Sequence, residues 1–245
     1  GQIEALTDVL EQRVRYEEKP EAQVGYRMRI AQLYREQLKD PARAAATLRD
    51  LLDVVPSADQ ALDLLAEIEE DRQDWLALSE VLQRQLAALP AGPAQLPVYH
   101  RLAVVALDKM GSADDAIMHL HEAMAVAPDD RETSNALIKL FEQAERWHDL
   151  IDLFTTQASA RAAEGNGRAE LELLVRIADL WLDKLDSPDS AAEILERILA
   201  KDPHNVRALS VLSGIYEKSG DLQRCRELLT QALGLAKQPT DKAEI

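Results

Sequence analysis

One block of sequence occurs three times in this chain, and that repetition restricts the fold more than any other feature. Arg29-Ile30-Ala31-Gln32-Leu33 returns as Arg101-Leu102-Ala103-Val104-Val105 and again as Arg176-Ile177-Ala178-Asp179-Leu180, at offsets of 72 and then 75 residues. Pro56, Pro128 and Pro203 keep both offsets, and so do Trp75, Trp147 and Leu222. A long, regular period means stacked copies of a unit that cannot bury its apolar face alone, rather than one globular core. Arrays of this kind hold other molecules far more often than they carry out reactions.

The units read as helices. Within residues 21–90, Ile30, Ala31, Leu33, Tyr34 and Leu38 fall at the spacing of one helix face. Lys39-Asp40-Pro41 interrupts that helix, and Pro41 suits the first turn of the next, where a missing N–H costs nothing. Ala44, Leu48, Leu51 and Leu52 form the second stripe, ended by Val55-Pro56-Ser57. Leu62, Leu65, Ala66 and Ile68 predict a third helix, closed near Arg72-Gln73-Asp74; Trp75, Leu78, Val81, Leu82 and Leu86 predict a fourth. The second pair echoes the first, since Ala31 to Ala66 is 35 residues and Leu48 to Leu82 is 34. Each long block is therefore two helical hairpins of about 34 residues. Pro90-Ala91-Gly92-Pro93 and Glu164-Gly165-Asn166-Gly167 add residues between pairs and stretch the period. Ile3, Ala5, Leu6, Val9 and Leu10 stand 72 residues before Trp75, Ala77, Leu78, Val81 and Leu82. The chain thus opens on the second helix of a hairpin and reads as a piece cut from something longer.

Composition agrees with an all-helical array. The chain of 245 residues holds 9 glycines and 4% aromatics, and 47% of it is hydrophobic, which suffices for a continuous core. Ala, Leu, Glu, Gln and Arg dominate, and such side chains lose little freedom in a helix. A net charge of −16, from 44 acidic against 28 basic residues, argues against nucleic acid and against an anionic membrane surface. It fits a partner that is basic or of mixed charge, and equally serves to keep an elongated surface in solution. With Cys225 the only cysteine, no intramolecular disulfide can form. No apolar run reaches the roughly 18 residues of a membrane span, so no membrane insertion is expected. No signal-peptide pattern opens the chain, which favours the cytoplasm.

A helix–turn–helix of this length with these features resembles the tetratricopeptide repeat. In that family a small residue on the first helix meets a small residue on the second, as Ala31 does with Ala44, and Ala103 with Ala116 and Ala123. A proline near the end of the second helix is matched by Pro56, Pro128 and Pro203, and an aromatic on the first helix by Tyr34 and Tyr216. The family's early tryptophan is missing, with Tyr99 the nearest substitute, and alternate hairpins carry Trp75 or Trp147 and lack the proline. That alternation is similar to large bacterial tetratricopeptide arrays. The resemblance covers the whole chain and implies an all-α, right-handed α-solenoid of about thirteen helices in one continuous array. Its parts are a half repeat over 1–20, hairpin pairs over 21–92, 93–167 and 168–237, and a tail over 238–245.

No constellation for chemistry emerges. His119 and His121 are two apart and face different directions on a helix, whereas a helical metal pair needs three or four. His148-Asp149 has no nucleophile placed beside it. Cys225 aligns with Ala44, Ala116 and Ala191 and serves as a small hydrophobe. Gly165-Asn166-Gly167 lacks the Lys-Ser/Thr of a phosphate loop, and Glu67-Ile68-Glu69-Glu70-Asp71 lacks calcium-loop spacing. The shared repeat position of Trp75 and Trp147 points to packing, while Trp181, without a counterpart, suits packing or a groove. No catalytic residue, cofactor or metal site is expected.

In the family the first helix of each hairpin lines a concave groove. The resemblance therefore marks Arg29, Gln32, Glu67, His100, Arg101, Lys139, Arg176 and Asp179 as candidate partner-binding positions. Arg29, Arg101 and Arg176 recur two residues before the packed alanine and would meet carboxylates of a partner or of the array itself. Asn135 and Lys139 share a helix without completing a carboxylate clamp. The implied function is a non-catalytic scaffold or adaptor that binds a protein or peptide on its concave face. The alternative is an assembly or regulatory module of a larger polypeptide, acting through its convex face or by self-association through its ends.

Overall fold

The computed structural model describes residues 1–236, which form thirteen α-helices and, among the described residues, no strand. In order they are α1 (Gln2–Tyr16), α2 (Pro20–Glu36), α3 (Pro41–Val54), α4 (Asp59–Asp71), α5 (Trp75–Ala88), α6 (Leu96–Val104), α7 (Ala113–Val126), α8 (Arg131–Gln143), α9 (Trp147–Ala163), α10 (Gly167–Asp183), α11 (Pro188–Lys201), α12 (Val206–Ser219) and α13 (Leu222–Ala236). A 3-10 turn at Pro93–Gln95 leads into α6, and a π-helical turn at Val105–Lys109 prolongs it. The expected tail over 238–245, with Lys237, lies outside the described residues. The fold is an all-α solenoid of helical hairpins, as the periodicity requires.

The chain divides into two compact units, Gly1–Leu140 and the residues from Phe141 onward, with the boundary inside α8. In the first, α1 packs on α2, the lone second helix that the alignment of Ile3 with Trp75 implies. The hairpins α2–α3, α4–α5 and α6–α7 follow, each resting on the one before. In the second, α9 packs on α10, α10 on α11, α11 on α12 and α12 on α13.

Small residues set how closely the helices of a hairpin approach. Ala31 and Ala44 are wholly buried, as are Ala116, Ala123 and Ala191, and Ala103, Ala178 and Cys225 are buried with them. Around these sit leucines with no exposure, such as Leu48, Leu51, Leu78 and Leu82. Each contributes about 1.5–3 kcal/mol by leaving water.

The tryptophans that mark alternate hairpins join neighbours. The Lys109 ammonium lies 5.2 Å above the Trp75 ring, and Lys184 lies 4.9 Å above Trp147. In both cases a lysine at the end of the next hairpin's first helix covers the tryptophan that starts a second helix.

The turns inside the hairpins share one device. A residue in the left-handed region precedes the next helix at Lys39 (φ 54°), Gln73 (φ 56°), Gly111 (φ 69°), Glu145 (φ 53°), Asp186 (φ 46°) and Gly220 (φ 85°). Residues 39, 111 and 186 keep the offsets of the repeat, and so do 73, 145 and 220. The residue after the turn then caps the second helix in most hairpins. Asp40 accepts from the Arg43 N–H at 3.0 Å, Asp74 from Ala77 at 3.2 Å, Ser112 from Asp115 at 3.3 Å and Asp221 from Arg224 at 3.1 Å. Such a cap contributes about 1 kcal/mol.

Candidate functional site

The first helices of the hairpins bury one stripe and leave the opposite face polar. In α4 the buried stripe is Ala61, Leu62, Leu65, Ala66, Ile68 and Glu69, so Glu67, Glu70 and Asp71 project outward. These acids meet cations from both flanking first helices. From α2, Arg35 donates to Glu67 at 2.6 Å and to Asp71 at 2.9 Å. Both hydrogen bonds raise the pKa of the guanidinium, the one to Glu67 more than that to Asp71. From α6, Arg101 donates to Glu70 at 2.5 Å. The polar face of α2, α4 and α6 is thus stitched by ion pairs among its own residues.

The stitching continues from α6 to the start of α8. The Thr133 hydroxyl and N–H both donate to Asp130, each at 2.7 Å. These two bonds hold the Asp130 carboxyl below the usual carboxylate range, against a small opposing effect of burial. Because the Thr133 hydroxyl gives its proton to Asp130, it accepts from His100, whose Nε2 lies 2.6 Å away. The Glu132 carboxylate stands 3.8 Å from the other ring nitrogen. His100 thus links α6 to the start of α8.

The eight candidate positions divide accordingly. Glu67, His100 and Arg101 are engaged within the first unit. Gln32 is half-buried on α2. Arg29 and Lys139 are exposed and form no ion pair among the described residues. In the second unit Arg176 lies over the Phe154 ring at 5.4 Å, and Asp179 is gripped through both oxygens by Arg207 Nη2, at 2.7 and 2.8 Å. The three repeated arginines therefore have three different environments: Arg29 is unpaired, Arg101 is ion-paired, and Arg176 is stacked on an aromatic ring. Trp181 is half-buried, edge-on to His148 with ring centroids 5.4 Å apart. Arg35, Glu70, Asp71, Thr133 and Arg207 complete these contacts; Glu70 recurs as Glu142 and Glu217, while the other four have no like counterpart in the repeat. The counterparts of Arg35, for instance, are Leu107 and Leu182.

Two buried carboxylates belong to the packing. Glu69 is wholly buried, held by Arg49 of α3 and by Arg72, both at 2.6 Å. Glu170 on α10 is held by Lys201 of α11 at 3.0 Å. Among the described residues no group of three or more His, Cys, Asp or Glu side chains converges as metal donors, and no helix is long and apolar enough to cross a membrane.

The hairpin geometry agrees with sequence profiles. A profile of the tetratricopeptide repeat matches residues 27–58, most of α2 and all of α3. A second tetratricopeptide profile matches residues 185–243, from the turn before α11 onward. The chain carries tetratricopeptide repeats over these two stretches. Among solved structures it is similar to MamA, at 15% identity over 91% of this chain and 97% of that one, with a TM-score of 0.38. It is similar to YrrB, described as a tetratricopeptide protein with an unusual peptide-binding site, at 15% identity over 88% and 87% of the two chains and a TM-score of 0.31. A tetratricopeptide repeat protein from Parabacteroides merdae shares 11% identity over 97% of this chain and 88% of its own, with a TM-score of 0.42. None of the curated proteins matches. Tetratricopeptide repeats support a protein–protein interaction scaffold, with proteins or peptides as the class of partner.

Proposed function

We propose that this tetratricopeptide protein binds a peptide or protein along the face presented by its first helices and performs no chemistry on it. The observation that carries the reading is the division of charge on that face. Glu67, Glu70 and Asp71 are engaged by Arg35 and Arg101, while Arg29 and Lys139 are exposed and without ionic partners among the described residues. An exposed cation that the fold does not use is free to take a carboxylate from a partner. Recognition on such a surface is polar and depends on salt, because exposed charges are screened over about 8 Å at physiological ionic strength. The test titrates a partner recovered with the wild-type protein against Arg29→Glu, Lys139→Glu and Arg101→Glu at low and high salt. The first two should weaken binding at low salt with helicity unchanged. Equal affinity in every combination would overturn the reading.

A second reading has an observation of its own. The terminal helices expose apolar side chains: Leu6 and Val9 on α1, and Leu222, Leu229 and Leu233 on α13. Such surfaces suit assembly with further repeats or with another copy. Sedimentation of wild type against Leu229→Glu/Leu233→Glu tests this, and a concentration-independent monomer for both would remove it.

A further inference from the structure

The grooves between neighbouring first helices are not alike, although the repeat makes their positions equivalent. The two offsets together carry Arg35 to Leu182, Glu67 to Gly214 and Asp71 to Lys218. Between α2 and α4 the arginine reaches across to both acids and closes the gap. Between α10 and α12 every member of that bridge has been replaced. The result is an open groove of about 570 Å³, with Leu182, Val211 and Ile215 among its lining residues and Gly214 on the α12 side. Gly214 stands in the interior of α12, where glycine is the poorest helix former after proline. A Cβ added there would meet nothing within 4 Å. The missing side chain therefore serves no close packing of the helices and only keeps the groove open.

The rim is acidic. Asp183, Asp186 and Asp189 line it against Lys218 alone, and none of the four makes an ion pair among the described residues. One turn back along both helices, Asp179 and Arg207 form the ion pair described above. An apolar lining under three unpaired carboxylates complements a side chain with an aliphatic stem and a cationic head. Resting on the scaffold reading, we infer that the groove between α10 and α12 is a docking site for an arginine side chain of a partner peptide. Its methylenes would lie against Leu182, Val211 and Ile215, and its guanidinium among Asp183, Asp186 and Asp189. Arginine suits the site better than lysine because its planar fork meets two carboxylates at once and sheds water more readily.

The test uses the full chain and a blocked Ala-Arg-Ala-Arg-Ala peptide, followed by amide chemical shifts. The peptide should move the amides of Val211, Gly214 and Lys218. The same peptide with citrulline in place of arginine, which keeps the shape and loses the charge, should not. Gly214→Leu fills the groove while improving helix propensity, and should weaken binding about tenfold or more, a loss of about 1.4 kcal/mol. Asp183→Asn/Asp189→Asn should weaken it several-fold at low salt, with circular dichroism confirming that both variants stay folded. Equal binding of the citrulline peptide, or undiminished binding by Gly214→Leu, would overturn the proposal. So would shifts confined to α2 and α4, or no binding of the peptide. The scaffold reading has its own readout in the Arg29 and Lys139 variants and does not fall with the groove.

Discussion

The turns make opposite predictions at equivalent positions. Gly111 and Gln73 both occupy the left-handed region before a second helix, at φ 69° and 56°. For a residue with a Cβ this conformation costs about 1–2 kcal/mol. Glycine avoids that cost but loses about 0.5–1 kcal/mol more backbone entropy on folding. A Cβ at Gly111 would meet no atom within 4 Å, so its penalty is backbone strain alone. Gly111→Ala should therefore destabilise by about 0.5–1 kcal/mol, and Gln73→Gly should stabilise by a similar amount. At a urea slope of about 2 kcal/mol/M, the midpoints should move by about 0.3–0.5 M in opposite directions. The assay is urea unfolding followed by circular dichroism, with unchanged slopes showing that the denatured state is unaffected. A neutral Gly111→Ala, or a destabilising Gln73→Gly, would refute the view that the turns are held by backbone geometry rather than by side-chain contacts.

Three further outcomes follow from the packing. Ala103→Leu places a large side chain where α6 meets α7 and should cost about 1–3 kcal/mol in urea unfolding; an unchanged midpoint would show that this alanine does not set the helix approach. Arg49→Met/Arg72→Met strands the buried Glu69 carboxylate and should cost about 3–5 kcal/mol, most of it recovered when Glu69→Met is added; a triple variant as unstable as the double would contradict the pairing. Burial lowers the pKa of His119 from the ordinary 6.5, against the opposing charges of Asp115 and Glu122. The unfolded chain then binds the proton more readily than the folded one, so the stability this histidine contributes is present above about pH 6.5 and is lost as pH falls from there through the lowered folded-state pKa. His119→Gln should flatten the loss between pH 7.5 and 5.5, and identical pH profiles for the two proteins would remove the effect.

The helices were legible because two signals coincide in the sequence: a period near 34 residues and an apolar stripe within each segment. The buried alanines and Cys225 were legible for the same reason, since they recur. The left-handed turns were hidden because Lys39, Gln73, Glu145 and Asp186 are not glycine, and only Gly111 and Gly220 hint at the conformation. The Arg35 and Arg207 ion pairs on the first-helix face were hidden because these arginines do not recur, whereas Glu70, the partner of Arg101, recurs as Glu142 and Glu217 and was legible. A repeat fixes which positions face one another, but not which side chains fill them: Arg101 meets a carboxylate and Arg176 a ring, while Arg29 makes no ion pair among the described residues. The groove beside α12 was the least legible, since a missing side chain at Gly214 opens it.

The central claim is that partners meet the first helices. A photo-crosslinking residue placed singly at Arg29 and Lys139 on first helices, and at Asp50, Glu80 and Glu193 on second helices, compares the two faces at exposed positions. In extracts of the source cells, adducts should form from positions 29 and 139 and be absent from 50, 80 and 193. Adducts confined to the second-helix positions would contradict the claim and place the interaction on the opposite face.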